Sequence, residues 1–248
     1  MSRYNFYLIN ILFCISLQAQ DAPDYFINEI SIEKLYKGNL LVRLESKEKK
    51  IQFLNTARNA NNCNQKCKQK LQDQVDEIIQ TRDRFNLQFM KSFEIYFSFC
   101  PIYFYYDKDH QNLVNAKFIG NFFLDKKLQT IRIDTFQKDS IFILKKDITP
   151  NSENEGWLIQ TSDGYTLKNG FPFVSENNFT TIWHRITSSD HLIKNCDYMV
   201  TELNKKLYEY LTGKYLEEKK HRFYPYHDPF FRMPPPPPPP PSYIPFRR

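Results

Sequence analysis

The sequence predicts an α/β or α+β fold, a single domain whose mixed β-sheet carries two long packed helices and a β-meander in its second half. Three observations predict it. Cys63, Cys67, Leu71, Val75, Ile78, Phe85 and Phe89 recur at intervals of three, four or seven with Lys, Gln, Asp and Arg between them, the signature of an amphipathic helix over about 63–91. Leu192, Cys196, Met199, Leu203, Leu207 and Tyr210 trace a second such stripe over about 189–212. Thr187–Asp190 offers its N-caps, and Gly213 is a natural stop. The third observation is a set of short β-branched and aromatic runs that alternate with period two.

Taken in order, Ile30–Leu35 forms one helical turn before the turn signal Lys37-Gly38-Asn39. Leu40–Leu44 is a strand, and Ser46 then caps a short helix whose apolar edge is Ile51 and Leu54. After the first long helix comes the densest apolar run, Phe93–Tyr106, interrupted by Glu94 and Ser98. Phe93, Ile95, Phe97 and Phe99 share one phase of an alternation, so Phe93–Phe99 is expected as a strand and core of the sheet. Pro101 has no N–H to give a ladder and separates it from a second strand, Ile102–Tyr105. Phe118–Leu124, Thr130–Phe136, Ser140–Leu144 and Trp157–Thr161 are further short strands, with Gln137-Lys138-Asp139 as a hairpin turn. Ser162-Asp163-Gly164 and Asn169-Gly170 are hairpin signals that make Trp157–Val174 a β-meander.

Both ends differ from this domain, which spans 21–216. Met1-Ser-Arg3, the apolar Phe6–Leu17 and Gln18-Ala19-Gln20 have the layout of a secretory signal peptide over 1–20. Its apolar run is shorter than the ~20 residues a spanning helix needs. The expectation is an exported protein, periplasmic or secreted, with no integral membrane span once the leader is removed. Residues 217–248 form an aromatic and basic tail expected to be disordered. Its run Pro234–Pro241 reads as a polyproline II rod of roughly 25 Å, at ~3.1 Å per residue. Such a rod loses little entropy on docking, so Pro234, Pro241, Tyr243, Phe246 and Arg248 are candidate contacts to a protein partner. A stiff spacer explains the same composition.

The chemistry-bearing residues point to few reactions. The formal charge of +6 is spread along the chain without a basic stripe, so nucleic acid is not an expected partner. There is no phosphate-cradling glycine loop and no Gly-x-Ser-x-Gly elbow. The five histidines never pair at a metal-site spacing, so no metal, cofactor or catalytic residue is assigned. Acids such as Asp107/Asp109 and Asp73/Asp76/Glu77 read as a polar loop and a solvated helix face. Cys63, Cys67, Cys100 and Cys196 are an even set in an exported chain, which leaves both disulfides and buried thiols open. If Cys63 and Cys67 are both helical they project along one face, and a bond from one of them to Cys100 or Cys196 is the expectation. Trp183-His184-Arg185 reads as a Trp packed at a strand end, and Asn178-Phe-Thr180 fits a glycosylation acceptor pattern. The expected function is non-enzymatic binding in the envelope or extracellular space. The alternatives are an exported hydrolase using carboxylates or His184/His191 brought together by the fold, and a small-ligand carrier suggested by 16% aromatic residues.

Overall fold

The computed structural model describes residues 24–60, 63–136, 140–149, 154–167 and 170–222, with backbone only at 24–27 and 214–222. Its elements are α1 (Asp24–Tyr36), β1 (Asn39–Leu44), α2 (Glu48–Arg58), α3 (Gln65–Tyr96), β2 (Ile102–Tyr106), α4 (His110–Asn115), β3 (Gly120–Leu124) and β4 (Thr130–Ile133). They continue as β5 (Ile141–Ile148), β6 (Glu155–Thr161), β7 (Val174–Ser175), α5 (Phe179–Thr187) and α6 (His191–Arg222). The seven strands form one mixed sheet in the order β4-β3-β2-β1-β5-β6-β7. β1 pairs in parallel with β2 and with β5, and every other pairing is antiparallel. A parallel neighbour needs a crossover; α2 and α3 supply the one from β1 to β2.

β1 explains its own central place. Leu40, Val42 and Leu44 point into a large core with α1, α3 and α6, while Leu41 points into a smaller one with Tyr105, Leu113, Phe123 and Ile143. A strand covered on both faces must be continuously apolar, and Leu-Leu-Val is. The long helices pack on the large-core face, where Phe89 meets Trp157 at 4.5 Å and Phe104 meets Phe93 at 5.8 Å.

The expected strand Phe93–Phe99 is a correction: α3 runs through it to Tyr96, and only Ile102–Tyr106 is strand. Residues four apart satisfy a period of two and a helical repeat alike. Phe85, Phe89, Phe93 and Phe97 continue the helical stripe, with ring centroids 5.0–5.5 Å apart. Ile95 decides the matter, because alternation would bury it and it is 59% exposed. The helix ends where Phe97 turns to extended backbone, four residues before Pro101.

The other element boundaries move for local reasons. Ile30–Leu35 is the inner part of a 13-residue helix. α2 starts after Lys47 in the left-handed conformation (φ 56°), while the Ser46 hydroxyl accepts the Glu48 N–H. α6 begins at His191 and passes through Gly213, which lacks the left-handed φ that a glycine stop uses. The Gln137–Asp139 turn lies outside the described residues. The strands it was expected to join are not neighbours, since β4 is the sheet edge beside β3 and β5 lies against β1. The second-half meander is present in reduced form. Gly164 (φ 86°) turns β6 back to a bridge between Gln160 and Thr166, and β7 pairs with β6.

Truncating Phe89 or Phe93 to Ala is expected to destabilise by about 3–5 kcal/mol, whereas Ile95→Ala stays within about 1 kcal/mol as an exposed change. Urea unfolding of the three variants checks this. A large loss at Ile95 would restore the strand reading of Phe93–Phe99.

Candidate ligand-binding cleft

Along β5 the helix-facing phase reads Phe142, Leu144, Lys146. The first two are core residues, so the third carries an ammonium toward the same face at the strand's end. Its cross-strand neighbour is Trp157. A charge so placed must be paired to be tolerated. Lys146 Nζ lies 2.8 Å from Glu176, 2.9 Å from Glu155 and 3.6 Å from Glu45. Burial acts against the Lys146 ammonium, but hydrogen bonds to Glu176 and Glu155 outweigh it and hold its pKa above the ordinary 10.5. The same contact holds the Glu155 carboxyl below its ordinary value. Glu176 also accepts the Trp157 indole N–H at 3.1 Å, which fixes the ring beside the knot.

Around this knot lies a cleft of about 760 Å³ between α2 and α3 on one side and the α5–α6 corner on the other. Its apolar lining is Leu54, Ile78, Phe85, Trp157, Leu192 and Met199. Its polar lining includes Glu45, Lys146, Glu176, Thr181, Arg185 and Asn195, with Gln74, Glu77, Thr81 and Arg82 beside the apolar Ile78 and Phe85 on α3. Lys47 pairs with Glu45, and burial followed by the nearby Lys146 charge lowers its pKa. Arg82 Nη1 donates to the Ser46 carbonyl at 3.0 Å and Asn86 Nδ2 to the Glu45 carbonyl at 3.2 Å, tying α3 to the end of β1. The opposite wall is equally fixed. Asn178 caps α5 by accepting the Thr181 N–H at 2.9 Å, and Asn195 Nδ2 donates to the Thr181 carbonyl at 3.4 Å.

Several residues singled out from the sequence fall elsewhere. His191 lines the cleft, but His184 sits behind it with Nδ1 2.9 Å from Asn195 Oδ1. His110 lies under the opposite face of the sheet, 3.0 Å from the Tyr105 hydroxyl, and burial lowers its pKa. Trp183 is not at a strand end. It lies on α5, 55% exposed, stacked on Phe179 at 6.2 Å and pointing outward with Ile186. Asn178 spends its side chain on the cap and on the Ser175 carbonyl at 3.0 Å. Asp107 accepts the Ser46 N–H at 2.8 Å. Of the acids on α3, Asp73 and Asp76 take i,i+4 bonds from Gln69 and Gln72 on the exposed surface, and Glu77 reaches the cleft.

The cysteines divide in two. Cys63 and Cys67 are joined, with Cα atoms 5.5 Å apart. The bond expected from one of them to Cys100 or Cys196 is therefore corrected: Asn64 caps α3 by accepting the Cys67 N–H, so Cys63 lies outside the helix and is free to fold back. Cys100 and Cys196 are buried and take no part in that disulfide, and burial pushes the Cys196 thiol up to about 12. Among the described residues no His/Cys/Asp/Glu cluster could hold a metal ion, and no helix is long and apolar enough to cross a membrane. The expected leader 1–20 and the tail candidates Pro234, Pro241, Tyr243, Phe246 and Arg248 lie outside the described residues.

The cleft's assembly was legible only in part. An inward lysine in an otherwise apolar strand phase was the available signal. The three glutamates come from segments distant in sequence and carry none.

No protein-family model, curated protein or solved structure matches this chain.

Replacing Lys146 by Met leaves Glu155 and Glu176 without their shared counter-ion and Glu45 with Lys47 alone. The expected loss is about 1–2 kcal/mol at pH 7, between the values for exposed and buried pairs because the side chain is 23% exposed. A raised lysine pKa contributes stability that is complete below 10.5 and lost as pH rises through the folded value. A depressed Glu155 contributes above 4.5 and fades as pH falls through its folded value. The deficit of Lys146→Met should therefore shrink below about pH 4.5, as Glu155 takes up its proton. Urea midpoints from pH 3 to 8, an estimated working range, check this. A deficit independent of pH would mean that the knot is not ionic.

Proposed function

We propose that this chain is an exported binding protein that holds a small organic ligand in the cleft between α2–α3 and α5–α6. The observation that carries the reading is the cleft itself, about 760 Å³, within the ~300–1,000 Å³ common to small-molecule sites. Its lining sets apolar side chains beside charged and polar ones, the combination that orients a ligand. The surrounding hydrogen bonds hold both walls in place without a ligand, so little ordering has to accompany binding. Binding rather than turnover is favoured by the state of the polar groups. Glu45 and Glu176 are occupied by Lys146, and His184 is occupied by Asn195. Export rests on the leader layout of residues 1–20.

The chain has two tryptophans, so Trp183→Phe leaves Trp157 as the sole reporter. In that background the neutral fluorophore N-phenyl-1-naphthylamine is expected to quench Trp157 saturably by energy transfer while its own emission rises. Leu192→Lys, which places a charge in the apolar part, should abolish both changes. Emission of Trp157 that does not respond to the fluorophore, or a response untouched by Leu192→Lys, would sink the binding reading.

A further inference from the structure

The charge balance at the polar end of the cleft narrows the class of ligand, on the premise that the cleft is a binding site. The carboxylates there are spent. Glu45 reaches both Lys47 and Lys146, and Glu176 takes Lys146 at 2.8 Å and the Trp157 N–H at 3.1 Å. Arg185, on α5 in the opposite wall, is not matched in this way. Its Nη1 donates to the amide oxygen of Asn177 at 3.2 Å, which carries no formal charge. Arg185 is exposed at the cleft, and its guanidinium keeps further donors in a planar fork suited to an anion. The free carboxylate in the lining, Glu77, belongs to α3 on the other wall, in the same turns as the apolar Ile78.

We propose that the cleft takes an amphiphilic anion, with an apolar body lying along Ile78, Phe85 and Leu192 and a carboxylate, sulfonate or phosphate head on Arg185. An anionic head gains a charge-assisted, bidentate bond that a neutral or cationic head cannot make. The apolar body gains by leaving water, in proportion to the surface it buries.

Two probes with one aromatic skeleton separate head from body. N-phenyl-1-naphthylamine is neutral, and 8-anilinonaphthalene-1-sulfonate adds a sulfonate to the same rings. Both are titrated against the Trp183→Phe protein and its Arg185→Gln and Arg185→Lys derivatives, following Trp157 emission. The expected result is tighter binding of the sulfonate than of the neutral probe. Arg185→Gln should weaken the sulfonate about tenfold, the effect of one charge-assisted bond, and leave the neutral probe unchanged, with Arg185→Lys recovering part of the loss. If both probes bind and Arg185→Gln alters neither, or weakens both equally, the anion assignment is overturned and the cleft remains a binding site. If only the neutral probe binds, the assignment fails in the same way. If neither binds, the assignment and the binding reading fall together.

Discussion

The structure depends on how one half-buried cation is satisfied. Lys146 continues the core-facing phase of β5 after Phe142 and Leu144, so its ammonium arrives where the sheet meets the helices. An ammonium there is tolerated only with counter-ions and hydrogen bonds around it. The glutamates that surround it come from three places in the chain: the end of β1, the start of β6 and the residue after β7. Their convergence ties the sheet's centre to its far edge. It also keeps helices from closing over that corner, because apolar packing against a charged knot gains nothing. The cleft is what remains.

Around that corner, apolar packing and polar ties divide the work. The contiguous rings of Phe85, Phe89 and Phe93 seat α3 on Trp157 and Phe104, and the α1 and α6 side chains complete the same core. The polar ties are fewer but more directional: Arg82 and Asn86 to the backbone after β1, and Asn178 and Asn195 around Thr181. Each satisfies a buried or half-buried backbone group that would otherwise be costly to leave unpaired. Each wall is thereby fixed by its own bonded structure.

What the sequence disclosed follows from which signals are local. The mixed sheet with two long helices was legible because a 3.6-residue stripe over several turns and the doubly apolar Leu40–Leu44 each need only neighbouring residues to be seen. Phe93–Phe99 misled because aromatic spacing of four fits both a strand and a helix, and only the exposure of Ile95 separates them. α5 was missed although Phe179, Ile182, Trp183 and Ile186 recur at i, i+3, i+4 and i+7; in the structure that stripe faces solvent instead of a core. The Cys63–Cys67 link turned on one cap: with Asn64 as N-cap, Cys63 is not in the helix at all. The cleft was hidden for a different reason. Lys146 pairs with glutamates on three separate segments, one before β5 and two after it, and that convergence is a property of the fold.

The central claim is that the Lys146 knot holds Trp157 in place as the base of a ligand cleft. Its most direct test is the pair of indole N–H resonances in a proton–nitrogen NMR spectrum, one from Trp157 and one from Trp183. The account predicts that the Trp157 N–H, bonded to Glu176, exchanges slowly with solvent, shifts on Lys146→Met and shifts again when N-phenyl-1-naphthylamine is added. The exposed Trp183 signal should exchange fast throughout. A Trp157 signal that exchanges as fast as Trp183 and moves with neither perturbation would contradict it.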